Sequence, residues 1–355
     1  MDFVLFMTVY LIVFGIIVIL YYYADSTVFQ NKLLKLLKHL LEVLLGLVPP
    51  ILKNLVTGAI DRMFYRRNHI LQVVYTGLVV AGHVVLVVDI LPIVYTFAAH
   101  ENHVLLPMVL VLLNSLFFSL TCTTDPGEIT HRTQRHYQSA YAYDDVLYKE
   151  GVKCRTCVIP KLPRSKHCSV CDRCVYRFDH HCIWTNNCIG GLNHMYFILF
   201  LVSIVVMSVN GVAICWRTLA LVVNHFNMLE TNYIDPSGNV QPITLKILAQ
   251  HLFLNFPRIV FTMVSLTFVA FALGGFALYH IFLVATNQTT NERYKRNGDW
   301  LQFKEDKAHS CTSNDGTSST SSRSPRKNVF DKGFCQNIYE VLCPHKFLRS
   351  TIKKK

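Results

Sequence analysis

Residues 154–188 read CRTCVIPKLPRSKHCSVCDRCVYRFDHHCIWTNNC, and this stretch governs how the rest of the chain is read. It carries cysteines at 154, 157, 168, 171, 174, 182 and 188 and histidines at 167, 180 and 181, with His194 just beyond. A structural zinc ion takes four sulfur or nitrogen ligands, commonly three cysteines and a histidine on Cys-x2-Cys arms. Two such sites use six cysteines and two histidines, so one cysteine is left over. Neighbouring residues in an extended segment face opposite ways. His180 and His181 therefore do not serve one site, and His180 shares a face with Cys182. An imidazole beside a thiol favours the thiolate, and a carboxylate that orients the imidazole completes a nucleophile, base and orienter. Cys182, His180 and Asp179 supply these three roles. Spacing alone leaves the pairing of ligands with ions open.

Outward from this stretch the chain is apolar. Hydrophobic residues make up 52% and charged residues 16%. Apolar runs near twenty residues are candidate membrane spans, and five are expected: Phe3–Tyr23, Ile70–Tyr95, Val104–Thr121, Tyr196–Cys215 and Ile259–Thr286. The first reads as an uncleaved anchor, because Asp2 stands where a leader peptide is basic and Tyr21-Tyr22-Tyr23 is no small-residue cleavage site. His83 and Asp89 fall inside the second run and are expected to be structural, His83 satisfied by a neighbouring helix and Asp89 reaching the interface.

Of the 34 lysines and arginines, seven fall in 24–69, ten in 123–195 and fourteen in 287–355, against three in 216–258. The positive-inside rule puts the three rich segments in the cytosol. The cysteine stretch is then cytosolic and the amino terminus lumenal. Thiols stay reduced in the cytosol, so the cysteines read as ligands and nucleophile and not as disulfides. The net charge of +12 is dispersed over this skirt, which suits anionic lipid headgroups of the bilayer. No groove-reading motif accompanies it, so no nucleic-acid partner is expected.

Beyond single residues, the string resembles the cysteine-rich domain of the DHHC protein S-acyltransferases, or palmitoyltransferases. The match runs through Cys154-x2-Cys157, Pro163 to Cys168, Cys171, Cys174, Asp179-His180-His181-Cys182-x-Trp184, Asn187-Cys188-Ile189-Gly190, Asn193 and Phe197. Asp125-Pro126-Gly127 after the third run fits the same pattern. Thr289-Thr290-x-Glu292 is similar to the family's second motif, and Asn328-x-Phe330-x2-Gly333-x3-Asn337 to its third.

The resemblance implies a fold and a function. The expected fold is an all-α polytopic membrane protein. It has a four-helix transmembrane core, an extra N-terminal span, and a cytosolic zinc-binding domain with short β-hairpins. The domains would be an anchor (1–23), a basic amphipathic segment (24–69), a transmembrane hairpin (70–122) and the cysteine-rich domain (123–195). A second hairpin with a lumenal loop (196–286) and a cytosolic tail (287–355), with a Ser/Thr-rich linker near 307–327, would follow. Two structural zinc ions would be held in an interleaved pattern, one by Cys154, Cys157, His167 and Cys174, the other by Cys168, Cys171, His181 and Cys188. Around the acyl donor the resemblance places Trp184 at the cavity mouth, Thr290 hydrogen-bonding toward Asp179, and Asn337 capping backbone near the membrane. Arg164, Lys166 and Arg173 are candidate contacts for coenzyme A phosphates.

The implied reaction moves a palmitoyl group from acyl-CoA to Cys182 and then to cysteines of membrane-associated proteins, in the endoplasmic reticulum or Golgi, with the plasma membrane as a further option. The rival reading is a non-catalytic, membrane-anchored zinc module of RING type. It leaves Cys182 and the Asp179-His180 pair without a task. Cys311, Cys335 and Cys343 stand outside the zinc set and read as plain cysteines.

Overall fold

The computed structural model describes residues 54–55, 58, 61–62, 66–98, 104–234, 237–296 and 328–352. The expected first span, the basic amphipathic segment to about residue 53 and the Ser/Thr-rich linker lie outside them. Within the described residues four helices are long and apolar enough to cross a membrane. The first is α1 (Ile70–Val85), continued by a π-helical turn at Leu86–Ile90 and by α2 (Leu91–Phe97). The others are α3 (Leu105–Thr123), α5 (His194–His225) and α7 (Pro257–Ala285). They correspond to the second to fifth apolar runs. The chain is a multi-pass membrane protein. Helix α5 outruns its expected end at Cys215 by ten residues, because Trp216 and Arg217 interrupt the hydropathy without breaking the helix and no proline or glycine follows before His225. The connection to α7 contains a hairpin, β6 (Asn232–Ile234) with β7 (Val240–Pro242), and α6 (Leu245–Asn255).

The chain divides into two compact units. One takes in Val73–Asn114 and Val202–Gly275. Its core joins Leu86, Ile90, Val94, Cys215, Leu219 and Ile259. Several polar groups inside it are paired, as apolar surroundings favour. Tyr75 donates to Asn114, and the Asn114 amide donates to Ser203 at 3.0 Å. His83 Nδ1 is 2.8 Å from the Val79 carbonyl, one turn back on its own helix; its partner is not the neighbouring helix that was expected. Asp89 lies in the π-helical turn and pairs with Arg258 at 2.6 Å. A cavity of about 190 Å³ sits among these helices, lined by Leu78, His83, Met207, Gly211 and Leu266 among others.

The second unit takes in Ala59–Gln72, Ser115–Leu201 and Phe276–Lys355. It contains β1 (Glu128–Ile129), α4 (Gln134–Gln138), β2 (Lys166–Cys168), β3 (Arg173–Val175), β4 (His180–Cys182) and β5 (Asn187–Ile189). Strand β3 pairs with both β1 and β2, and β4 pairs with β5, all antiparallel. After α7 a short helix, α8, covers residues 290–296, and α9 (Phe334–Leu342) and α10 (Pro344–Ile352) close the chain. An aromatic core holds the unit together. Tyr137 stacks on Tyr176 at 4.7 Å, and Tyr141, Phe330, Phe347 and Leu348 pack around them. The third motif thus contributes Phe330 to the same core as the cysteine-rich segment.

Turn chemistry positions these parts. Asp125 accepts from the Gly127 and Glu128 amides at 2.9 Å, and Gly127 has φ +103°, so Asp125-Pro126-Gly127 steers the chain out of α3. Asn187 donates to the Thr121 and Thr124 carbonyls at 3.0 and 2.9 Å, fixing β5 to the end of α3. Gly190 lets the backbone close in: a Cβ there would meet the Pro126 carbonyl oxygen at 2.5 Å and Val175 Cγ1 at 2.6 Å. Gly190→Ala should destabilise the unit by about 1–3 kcal/mol, the range for overpacking, read as a lower melting midpoint at unchanged metal content.

Candidate active site

The two hairpins place their ligands by one rule. In each, a histidine stands directly across from a cysteine: His167 opposite Cys174, and His181 opposite Cys188. Cross-strand neighbours point to the same face and lie close enough to share an ion. His167 Nδ1 is 3.3 Å from Cys157 Sγ and 3.9 Å from Cys174 Sγ. His181 Nδ1 is 3.3 Å from Cys171 Sγ and 3.7 Å from Cys188 Sγ. Cys154, Cys157, His167 and Cys174 form one group able to hold a metal ion, and Cys168, Cys171, His181 and Cys188 form another. The groups interleave along the chain because Cys168 follows His167 on a strand and faces the other way.

The same alternation frees Cys182. His180, His181 and Cys182 are consecutive on β4. His181 turns to the metal-binding group, and the period of two puts His180 and Cys182 together on the opposite face. Cys182 belongs to neither four-residue group. Asp179 precedes the strand and is 1% exposed. Its Oδ2 lies 2.7 Å from His180 Nδ1. The Thr290 amide donates to Oδ1 and the Thr290 hydroxyl to Oδ2, both at 2.9 Å. Thr290 opens α8, so the carboxylate also sits at a helix amino terminus, where negative charge is favoured.

Electrostatics follow from these contacts. Burial alone would raise Asp179, but the His180 hydrogen bond and the nearby imidazoles hold it well below the usual carboxylate range. Burial works against the His180 cation, yet the hydrogen bonds to Asp179 and Cys182 raise it to about 10. Burial likewise opposes a Cys182 thiolate, and the hydrogen bond and charge of His180 with the Thr185 donors outweigh it and lower the thiol. These contacts favour the thiolate form of Cys182 and the imidazolium form of His180.

Behind the pair lies a charged network that sequence reading did not anticipate. Arg164 is fully buried and grips Glu292 through two bonds, at 2.7 and 2.9 Å. It also donates to Asn287 Oδ1 at 2.8 Å and to the Asn287 carbonyl at 3.0 Å. Arg177 donates to Asn287 at 3.1 Å and approaches Glu340 at 3.3 Å. Glu340 further accepts from Tyr141 and from Lys332. The expectation that Arg164 meets coenzyme A phosphates is therefore corrected. Its side chain has no exposed surface, and its charge is spent on Glu292 and Glu340. Arg173 pairs with Glu128 and Asn187, while Lys166 is exposed.

The remaining expected positions are placed as follows. Trp184 is exposed just past β4. Asn337 is buried, with its amide donating to the Ala285 carbonyl at 2.8 Å and to Asp331 at 2.7 Å, and its carbonyl accepting from the Lys332 amide; it caps the end of α7. Thr289 and Glu292 form a reciprocal cap at the start of α8, the Thr289 amide on Glu292 and the Glu292 amide on Thr289 Oγ1. That S/T-x-x-E pattern was a readable signal for Glu292. Arg177, Asn287 and Glu340 carried none.

Comparison with known proteins identifies the family. A model of the DHHC palmitoyltransferase family matches residues 147–297. Palmitoyltransferase ZDHHC4 of Mus musculus is 34% identical over 308 residues, 85% of this chain and 86% of its own length. The chain belongs to the DHHC palmitoyltransferase family. Palmitoyltransferase ZDHHC4 of Bos taurus is 35% identical over 74% of the chain and 76% of its own length, and Palmitoyltransferase ZDHHC9 of Homo sapiens 37% identical over 41% and 34%. As a DHHC palmitoyltransferase the chain is a protein S-acyltransferase.

Proposed function

We propose that the chain moves a palmitoyl group from acyl-CoA to cysteine thiols of membrane-associated proteins through a thioester on Cys182. The carrying observation is that β4 turns His181 into a metal-binding group and leaves His180 and Cys182 together on the other face, with Asp179 held behind His180 by Thr290.

In the first half-reaction the Cys182 thiolate attacks the thioester carbonyl, and the coenzyme A sulfur leaves with the proton that His180 supplies. In the second, a substrate thiol gives its proton to His180 and attacks the acyl-enzyme, and Cys182 departs as thiolate. One thioester replaces another, so no other energy source is required. Asp179 keeps the proton on His180 Nδ1 and so aims Nε2 at sulfur. Thr290→Val deletes one of the three hydrogen bonds on that carboxylate. A bond to a charged group contributes about 1.5–3 kcal/mol, so self-acylation should slow roughly 10- to 100-fold at unchanged metal content.

Two zinc ions fit the donor sets, since each offers three sulfurs and an imidazole nitrogen and is closed by protein. Zinc would tie the hairpins together and hold β4 in register. The cavity among α1, α3, α5 and α7 has the lining a hydrocarbon chain needs. Leaving a sixteen-carbon chain in water costs on the order of 12 kcal/mol, at about 0.8 kcal/mol per group, which favours a reaction centre at a bilayer. Charge placement supports a cytosolic active site and a lumenal amino terminus; residence in the endoplasmic reticulum or Golgi is proposed from the family resemblance alone. The domain limits proposed are those set out from the sequence.

Intact-mass measurement of the purified protein after palmitoyl-CoA tests the reading. It should show one hydroxylamine-labile acyl adduct together with two metal ions per chain. Stripping the ions should abolish the adduct. Two ions with no adduct would favour the interaction module instead.

A further inference from the structure

Beside the Asp179–His180 pair stands a buried imidazole that the reaction leaves idle. His280, on α7, is 1% exposed. Its ring centroid is 5.7 Å from that of His180, and Phe197 and Phe276 wall it in at 5.1 and 4.5 Å. Its Nδ1 has no hydrogen-bond partner among the described residues. A buried polar nitrogen is normally satisfied, so an unsatisfied one points to a group that can come and go. Donor atoms of Asp179, His180 and His280 all lie within 4.8 Å of one another. Donors about one zinc-sized ion, with bonds of about 2.0–2.1 Å, are separated by roughly 3–4 Å; a small ring rotation closes the rest.

We propose that Asp179, His180 and His280 form a third cation site, inhibitory, for divalent ions that accept imidazole and carboxylate together, such as Zn²⁺ or Cd²⁺. The His180 side chain is 25% exposed, which gives an aqueous ion a way in. The ion takes the place of the proton that His180 Nδ1 shares with Asp179. That proton leaves to water, and the ring keeps its other proton on Nε2. Facing Cys182 with Nε2–H and no lone pair, His180 accepts no proton from an incoming thiol. The enzyme is then blocked without losing either structural ion.

The inhibition rests on the proposed role of His180; the occupancy does not. The test uses the full chain in nanodiscs, carrying its two structural ions, with added Cd²⁺. Metal per chain is read by elemental mass spectrometry, and turnover by the initial rate of acyl transfer from palmitoyl-CoA to a substrate thiol, the half-reaction in which His180 must accept a proton. A third equivalent should bind, with the rate falling in step. His280→Phe should keep two ions, bind no third, and be desensitised to Cd²⁺ by roughly tenfold or more, equivalent to about 1.4 kcal/mol. Cys182→Ala should still bind the third ion. With Co²⁺, the third equivalent should bring ligand-field bands without thiolate charge transfer. The proposal fails if no third equivalent binds, if it survives in His280→Phe, if it is lost in Cys182→Ala, or if it carries thiolate charge transfer. Should His280→Phe not fold, the Cys182→Ala stoichiometry and the Co²⁺ spectrum still decide. Retained labelling in Cys182→Ala would sink the catalytic assignment while leaving this stoichiometry standing.

Discussion

Cys182→Ala is expected to lose hydroxylamine-labile labelling from palmitoyl-CoA entirely and to transfer acyl groups at least about 10³-fold more slowly. The same protein should keep two metal ions and nearly its full stability. Both halves follow from the two faces of β4. The thiol belongs to the face of His180 and to neither metal-binding group, so removing it takes away the proposed nucleophile and no member of either group. It is half-buried, and losing one sulfur there costs at most about 1 kcal/mol. Cys188→Ala gives the contrast. That residue is fully buried, lies opposite His181 and completes the second metal-binding group. Its loss should cost an ion and much of the folded protein, and with it the activity. Gel labelling with an alkynyl acyl-CoA, run beside elemental analysis, separates the two variants. Labelling of Cys182→Ala at the wild-type level would remove Cys182 from the mechanism.

Much of the site was readable because its logic is local. The surplus cysteine and the alternation along an extended strand depend only on spacing, and β4 follows that alternation. The four described spans were readable from runs of apolar residues, since backbone groups in hydrocarbon must be satisfied within a helix. The same signal placed the end of α5 ten residues early, because hydropathy marks a membrane boundary and not a helix boundary. What stayed hidden was long-range. Arg164 was expected to meet coenzyme A phosphates, and nothing in the sequence singled out Arg177 or Glu340. Their pairing joins segments more than a hundred residues apart in sequence, and no local pattern encodes it. Two backbone features accompany the pairing: Arg164 and Arg177 both have positive φ, at 62° and 45°. Such conformations cost of order 1–3 kcal/mol in a non-glycine residue and persist where surroundings over-determine them. His280 was hidden for a related reason, since it reads as one polar residue in an apolar helix.

Glu292→Leu is expected to destabilise the chain by about 3–5 kcal/mol, the cost of leaving a buried charge without its partner. Arg164 and Glu292 both have fully buried side chains and meet through two bonds. With Glu292 gone, Arg164 keeps its hydrogen bonds to Asn287 but has only Glu340 as an anionic partner, which already answers Arg177 and Lys332. The cap on α8 goes too, because Glu292 accepts from the Thr289 amide. Thr290, the next residue, holds Asp179, so damage to the ion pair should reach the Asp179 carboxylate along the same short helix. Replacing both partners separates the contributions. Arg164→Met with Glu292→Leu removes both charges and fills similar volume, and substitution of a whole buried pair is often close to neutral for stability. The double variant should therefore regain most of the melting midpoint lost by Glu292→Leu. Its self-acylation should stay below wild type, because the α8 cap is still missing. Thermal melting in detergent, paired with the initial rate of acyl-enzyme formation, measures both quantities. A Glu292→Leu protein that melts with wild type would mean that Arg164 is not held by Glu292. A double variant that regains stability and full rate together would mean that the cap on α8 does not position Asp179.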